Sequence, residues 1–155
     1  MEWTTELRYK RYEDWTEEEK KQIKENMAKS PWHTHYHVEP TSGLLNDPNG
    51  FSYFDDKWIL FYQNFPFGAA HGLKSWVQLE SDDLVHFNET GVKVLPDTPL
   101  DSHGAYSGSA MQFDDKLFLF YTGNVRDENW IRHPYQIGAL MDKEGKIEKI
   151  NKILI

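Results

Sequence analysis

The chain contains no cysteine, so disulfide frameworks, zinc-thiolate sites and thiol nucleophiles are excluded at the outset. No apolar run approaches the roughly 20 residues of a membrane-spanning helix. Positive charge is scarce: 17 Lys and Arg stand against 25 Asp and Glu, a formal net charge of −8. A nucleic-acid or anionic-membrane binder would want the opposite balance, so neither partner is expected. Met1-Glu2-Trp3-Thr4-Thr5-Glu6 lacks the basic-then-apolar pattern of a secretory signal, and the expected location is the cytoplasm. What the chain has in quantity is aromatic residues, 15% of its length, beside 10 Gly and 7 Pro. That mixture suits short strands with frequent turns, and the expected class is all-β. With 155 residues and 39% hydrophobic content it can bury the core of one ordinary domain.

One helix is expected, over residues 16 to 29. Thr16 is a candidate N-cap with Glu19 three residues on, Glu17 and Glu18 suit the positive helix end, and Ser30-Pro31 stops it. Its apolar face, Ile23 and Met27, is thin, which fits an appendage packed on something larger.

After Pro31 the pattern changes to short aromatic and β-branched runs punctuated by Asp, Asn and Gly. Phe54-Asp55-Asp56-Lys57-Trp58-Ile59-Leu60-Phe61-Tyr62 returns 59 residues later as Phe113-Asp114-Asp115-Lys116-Leu117-Phe118-Leu119-Phe120-Tyr121, identical at seven of nine positions. Each copy reads as a strand, an Asp-Asp-Lys turn and an apolar strand. Further strands follow both: Lys74 to Ser81 and onward from His86 after the first, Tyr135 to Met141 and Lys146 to Ile150 after the second. Four-stranded units at this period are the mark of a β-propeller, whose blades bury their faces against neighbouring blades. Closure takes at least about 4 blades, and two are visible here, so the chain is expected to be part of a longer propeller. The expected division is a helical appendage over 1–31 and two blades over 32–155. Two blades alone leave an apolar face and strand edges open, which motivates an expectation of self-association.

Asn46-Asp47-Pro48-Asn49-Gly50 is, by composition, a turn signature. Its position gives it a second reading, because it leads into the first strand of the first repeat, and inner blade strands line the channel where propellers bind ligands. A carboxylate there, flanked by amides, could contact a sugar.

From this stretch onward the chain resembles the glycoside hydrolase family of invertases, inulinases, levanases and sucrose-6-phosphate hydrolases. The resemblance rests on five collinear segments: Gly43-Leu44-Leu45-Asn46-Asp47-Pro48-Asn49-Gly50, Phe61-Tyr62-Gln63-Asn64-Phe65-Pro66-Phe67-Gly68, Ser81-Asp82-Asp83-Leu84-Val85-His86-Phe87, Tyr106-Ser107-Gly108-Ser109-Ala110 and Phe120-Tyr121-Thr122-Gly123-Asn124. It implies a five-bladed propeller, normally followed by a β-sandwich, and double displacement on fructosides with no metal or other cofactor. Asp47 would attack the anomeric carbon of the fructosyl unit, and water would hydrolyse the resulting fructosyl-enzyme. Such a nucleophile needs hydrogen-bond donors around it, with Asn46 as an orienting neighbour. Leu44, Leu45, Asn46, Gln63, Trp76, Tyr106 and Ser107 would line the substrate pocket, Gln63 supplying an amide, Trp76 a stacking face and the last two hydroxyls.

The departures from the family pattern are specific. Its acid/base is a Glu followed directly by Cys, and this chain has no Cys. Its transition-state stabiliser sits in an Arg-Asp-Pro motif; here Arg126-Asp127 is followed by Glu128, after a segment matching an earlier part of the family, and that role is not assigned to it. Lys74-Ser75-Trp76-Val77-Gln78 stands where many members have His-Trp-Gly-His.

Two other constellations carry less. His33, His35 and His37 alternate and would share one face of a strand, a spacing that can bind a metal, but a polar lead-in strand accounts for them and no metal site is expected. Asp101-Ser102-His103 holds the residue types of a serine triad, yet adjacent positions cannot align base and orienter, so it reads as a loop. The functional expectation is a retaining β-fructosidase acting on sucrose or sucrose 6-phosphate, present as an N-terminal portion. The alternative is a non-catalytic sugar-binding module or inactive fragment.

Overall fold

The computed structural model describes residues 2–34 and 36–155. Helix α1 (Thr5–Arg8) and a 3-10 turn (Tyr12–Asp14) precede α2 (Glu17–Ala28). The expected helix forms with its expected start: Thr16 Oγ1 accepts from Glu19 N at 3.1 Å while Thr16 N donates to the Glu19 carboxylate at 2.7 Å, a reciprocal capping box. The four-residue α1 is too short for periodicity to announce it.

Eight strands follow. β1 (Leu44–Phe54), β2 (Lys57–Phe65), β3 (Ser75–Ser81) and β4 (Asn88–Val94) form one antiparallel sheet in chain order. β5 (Ala105–Phe113), β6 (Lys116–Arg126), β7 (Arg132–Met141) and β8 (Ile147–Ile150) form the second. These are the two four-stranded units that the repeat implies, and the fold is all-β. The Asp-Asp turns explain why the repeat is so well kept. Phe54 faces Lys57 across a two-residue connection with Asp55 and Asp56 at φ 49 and 59, and Asp114 sits at φ 52 in the second copy. Tight hairpins need positive φ there, and Asp tolerates it better than most residues.

Two local expectations fail. The polar lead-in strand around the histidines does not form: β1 is the first strand among the described residues, and the segment before it runs through turns and bends. His33 pairs with Glu39 at 2.8 Å and with Met27 O at 2.9 Å instead. His35 lies outside the described residues. β4 begins at Asn88, because Asp83 Oδ1 accepts from the amides of Val85 and His86 and closes them into the preceding turn.

The main core lies between the sheets. Ile59, Phe61, Trp76 and Val94 of the first pack against Ala105, Leu117, Leu119, Tyr121, Ile137 and Met141 of the second. The N-terminal segment packs at the end of the first sheet, where β2 leaves it and the chain returns toward β3. Trp15 stacks on Phe67 with ring centres 4.2 Å apart, Trp3 sets its edge on Phe65, and Tyr12 donates to Leu73 O at 3.0 Å. Among the described residues no helix is long and apolar enough to cross a membrane.

Candidate active site

Asp47 does not lie in a turn between strands. It sits inside β1, at a bulge: Asn46 faces Gln63 and Pro48 faces Tyr62, so Asp47 is the extra residue. Its φ of 29 is in the left-handed region, and Asn49 Nδ2 closes the bulge by donating to Asp47 O at 2.8 Å. β1 is an edge strand, where Pro48 costs no ladder bond. Gly50 follows at φ 59, and a Cβ there would meet the Phe61 ring at 2.8 Å. Each residue type of the motif thus has a backbone reason, and the result is an exposed carboxylate on an inner edge.

A second bulge meets the first. In β5, Tyr106 faces Thr122 and Gly108 faces Tyr121, leaving Ser107 as the extra residue. Ser107 Oγ donates to Asp47 Oδ2 at 2.7 Å, and Gln63 Nε2 donates to the same oxygen at 3.0 Å and also bonds Ser107 Oγ. Both donors use Oδ2. Asp47 Oδ1 accepts no side-chain or main-chain bond among the described residues, which leaves it free for an external electrophile.

The remaining pocket residues separate into those that touch this pair and those that do not. Gln63 is 1% exposed and stands behind the carboxylate, so it orients Asp47 rather than offering its amide to a sugar. Trp76 is 0% exposed, tilted against Phe61 and Tyr121, with Nε1 donating to Tyr106 O at 3.1 Å. The expected stacking face is therefore absent; the indole belongs to the seam between the sheets and props the β5 bulge. Asn46 makes no bond to Asp47, and its Oδ1 is buried without a partner, so the orienting role falls to Ser107 and Gln63. Leu44 packs with Trp15, Phe65 and Phe67, and Leu45 with Tyr62, Val77 and Leu79, both in apolar clusters. Tyr106 is half-buried, and burial raises its phenol above the usual range.

Sequence reasoning missed the charge beside this pocket. Lys74 is 6% exposed with its ammonium 5.3 Å from the Tyr106 ring centre, and Arg132 approaches the same ring at 5.0 Å. Burial lowers the Lys74 ammonium and the Asp47 carboxylate opposes that shift. The one signal in the sequence was that Lys74-Ser75-Trp76-Val77-Gln78 departs from the family pattern. Arg126-Asp127 occupies the β6–β7 connection: Arg126 donates to Trp130 O at 2.8 Å, and Asp127 accepts from Asn129 N, Ile131 N and His133. Asp101-Ser102-His103 is a loop as read. Its Asp101 is buried and holds Thr98, Tyr121 and Lys149. No group of three potential metal ligands occurs among the described residues.

Proteins of known identity resemble this chain in sequence and in fold. The chain is 71% identical over 149 residues to a sucrose-6-phosphate hydrolase of Streptococcus mutans serotype c, covering 96% of this chain and 31% of that protein. A solved sucrose-6-phosphate hydrolase from Lactobacillus gasseri superposes with a TM-score of 0.96 at 51% identity, over 99% of this chain and 32% of that one. A Bombyx mori β-fructofuranosidase mutant solved in complex with sucrose gives a TM-score of 0.69 at 30% identity, over 88% and 30%. The chain thus spans about a third of the length of the curated relatives it matches. Residues 37–155 match the glycosyl hydrolases family 32 N-terminal domain, and the chain belongs to that family.

Proposed function

We propose that this chain is the N-terminal part of a cytoplasmic retaining β-fructosidase that cleaves sucrose 6-phosphate, and sucrose less well, with Asp47 as nucleophile. The observation that carries the reading is the asymmetric carboxylate, with Oδ2 fixed by Ser107 and Gln63 and Oδ1 free at the exposed bulge. In this reading residues 32–155 are the first two blades of a five-bladed catalytic propeller, and 1–31 are the helical appendage that covers one flank. Relatives named sucrose-6-phosphate hydrolases support the substrate.

Asp47 Oδ1 attacks the anomeric carbon of the fructosyl unit as the glycosidic C–O bond breaks. The departing oxygen takes a proton from a second carboxylic acid, roughly 5 to 5.5 Å from the first in retaining enzymes. Water, deprotonated by that same group, then cleaves the acylal ester and restores the carboxylate. Since this chain lacks the Glu-Cys pair of the family, the second carboxyl belongs to the remainder of the protein.

The test uses the full-length protein. Wild type releases β-fructose first, and rapid acid quench leaves one fructosyl unit on the peptide containing Asp47; Asp47→Asn abolishes both. Initial release of the α-anomer, or a label on another residue, contradicts the mechanism. The isolated 155-residue chain should release no fructose from either sugar, and turnover abolished by Asp47→Asn would contradict that.

The open face of the second sheet, where Met111 and Phe113 stand exposed, supports self-association of the isolated chain. A clean monomer in sedimentation at high concentration contradicts it.

A further inference from the structure

Beside the Asp47 pocket, positive charge accumulates with no carboxylate at ion-pair distance among the described residues. Lys74 and Arg132 flank the Tyr106 ring at 5.3 and 5.0 Å, and Arg126 lies close enough to act on the same phenol. His103, in contact with this group through Arg126 N, is held below the usual imidazole range by burial first, then by Arg126 and Arg11. Arg11 has an acidic partner, Glu13 at 3.5 Å. Lys74, Arg126 and Arg132 have none within 4.0 Å among the described residues. In a chain with 25 acidic groups for 17 basic ones, three neighbouring cations without an ion-pair partner is the reverse of what the composition favours.

Two of the three are also aimed. Arg132 Nε donates to Asn124 Oδ1 at 2.7 Å, and Asn124 is fully buried and anchored by Nδ2 to His103 O at 3.2 Å. Spending Nε on a fixed amide sets the guanidinium plane and leaves its two terminal nitrogens as a fork for a bidentate acceptor. Arg126 is held by its bond to Trp130 O and by the Trp130 ring, 5.2 Å from its guanidinium carbon. The main chain ties this cluster to the nucleophile, because Tyr106 directly precedes Ser107, the donor to Asp47.

We propose that Arg132, Arg126 and Lys74, gathered around Tyr106, form the site for a phosphate monoester carried by the leaving group, and so set a preference for a phosphorylated over a neutral disaccharide. This rests on the fructosidase reading above. The fructosyl unit is neutral and asks for no cation, so charge placed one residue beyond the Asp47 donor serves the other half of the substrate. Free phosphate shares the chemistry, and the experiment separates the two sources.

The full-length enzyme is assayed with sucrose 6-phosphate and sucrose side by side, as wild type, Arg132→Gln, Arg132→Lys and the Arg126→Gln/Arg132→Gln double variant. The ratio of kcat/KM values, phosphorylated over neutral, falls on the order of 100-fold in Arg132→Gln and further in the double variant, the scale of a lost charged hydrogen-bonded contact. Arg132→Lys keeps the charge without the fork and falls in between. Inhibition by glucose 6-phosphate weakens in the same order. A ratio unchanged within about 3-fold in the double variant overturns the proposal, whatever happens to absolute rates. Inorganic phosphate that inhibits as strongly as glucose 6-phosphate, with the ratio unchanged, assigns the cluster to a free anion and overturns it too. A wild-type enzyme that cleaves neither sugar sinks the fructosidase reading first, and this proposal with it, before any variant is made.

Discussion

The two blades are copies of one template that differ at the position that matters. Each inner strand carries a bulge at the same register, between Asn46 and Pro48 in the first and between Tyr106 and Gly108 in the second. In the first blade the extra residue is the acid Asp47; in the second it is the hydroxyl Ser107, which donates to that acid. The next strands diverge in the same sense. Gln63 sends its amide across the seam to Asp47, whereas its counterpart Thr122 is bonded within its own blade by Gln136 at 3.1 Å. The candidate site is therefore built across two copies, and neither blade makes it alone.

They differ also in what covers them. Most residues of β2 and β3 are buried, because the second blade lies on one face, Leu45, Leu60 and Phe87 close over Tyr62, Val77 and Leu79 on the other, and the N-terminal segment caps the strand end at Phe65. β6 alternates buried and half-buried over most of its length, since only one face has a partner. Leu119→Ala, on the covered face at 0% exposure, should cost about 3 kcal/mol in urea unfolding of this chain. Met111→Glu, at 60% exposure on the other face, should change stability by less than about 0.5 kcal/mol here. In the full-length protein the same Met111→Glu should cost as much as a core change, because a third blade would cover that face. Equal and small effects of Met111→Glu in both contexts would break the comparison between a closed and an open blade.

The division of labour between the bulges gives the next expectation. Ser107→Ala in the full-length enzyme removes the second blade's donor but leaves Gln63 on the same oxygen, so kcat should fall roughly 10- to 100-fold, less than loss of Asp47 itself. Thermal stability should move little, since Ser107 is only half-buried. A rate within 2-fold of wild type, the threshold being about 0.4 kcal/mol, would show that Asp47 is positioned by its own blade alone.

Much of this arrangement was legible because local chemistry wrote it into the chain. The hairpin turns demand positive φ, so Asp-Asp-Lys was kept in both copies and the repeat stood out. The same demand misled at Asn46 to Gly50: a bulge and a turn both want Asp, Asn and Gly at positive φ, so residue types could not separate them. Trp76 was read as a sugar platform because strand parity does not say which face is the seam; only its register with Gln63, and its packing on Tyr121, puts it inside. The cations around Tyr106 come from the residue before β3, the end of β6 and the start of β7, and only the closing of the sheets brings them together.

The lead-ins to the blades repeat the theme in miniature, and they differ in exposure. Before the second blade, buried Asp101 accepts from Thr98 N and Oγ1 at 2.8 and 2.7 Å and is backed by Lys149. Before the first, half-buried Glu39 accepts from the same two atoms of Thr34 and pairs with His33. The Thr34 hydroxyl first, then His33 and the Thr34 amide, lower the Glu39 carboxyl to about 2, from 4.5 for the unconstrained group. A folded-state value below the unfolded one contributes stability above pH 4.5 that is lost as the pH falls through about 2. Glu39→Gln should flatten that acid limb in urea unfolding of the chain and lower the neutral plateau by the same small amount, the smallest effect of the set, because the group is partly open to solvent. An acid limb that keeps its full slope in Glu39→Gln would mean that this lead-in is held by its packing and not by the carboxylate, unlike its buried counterpart at Asp101.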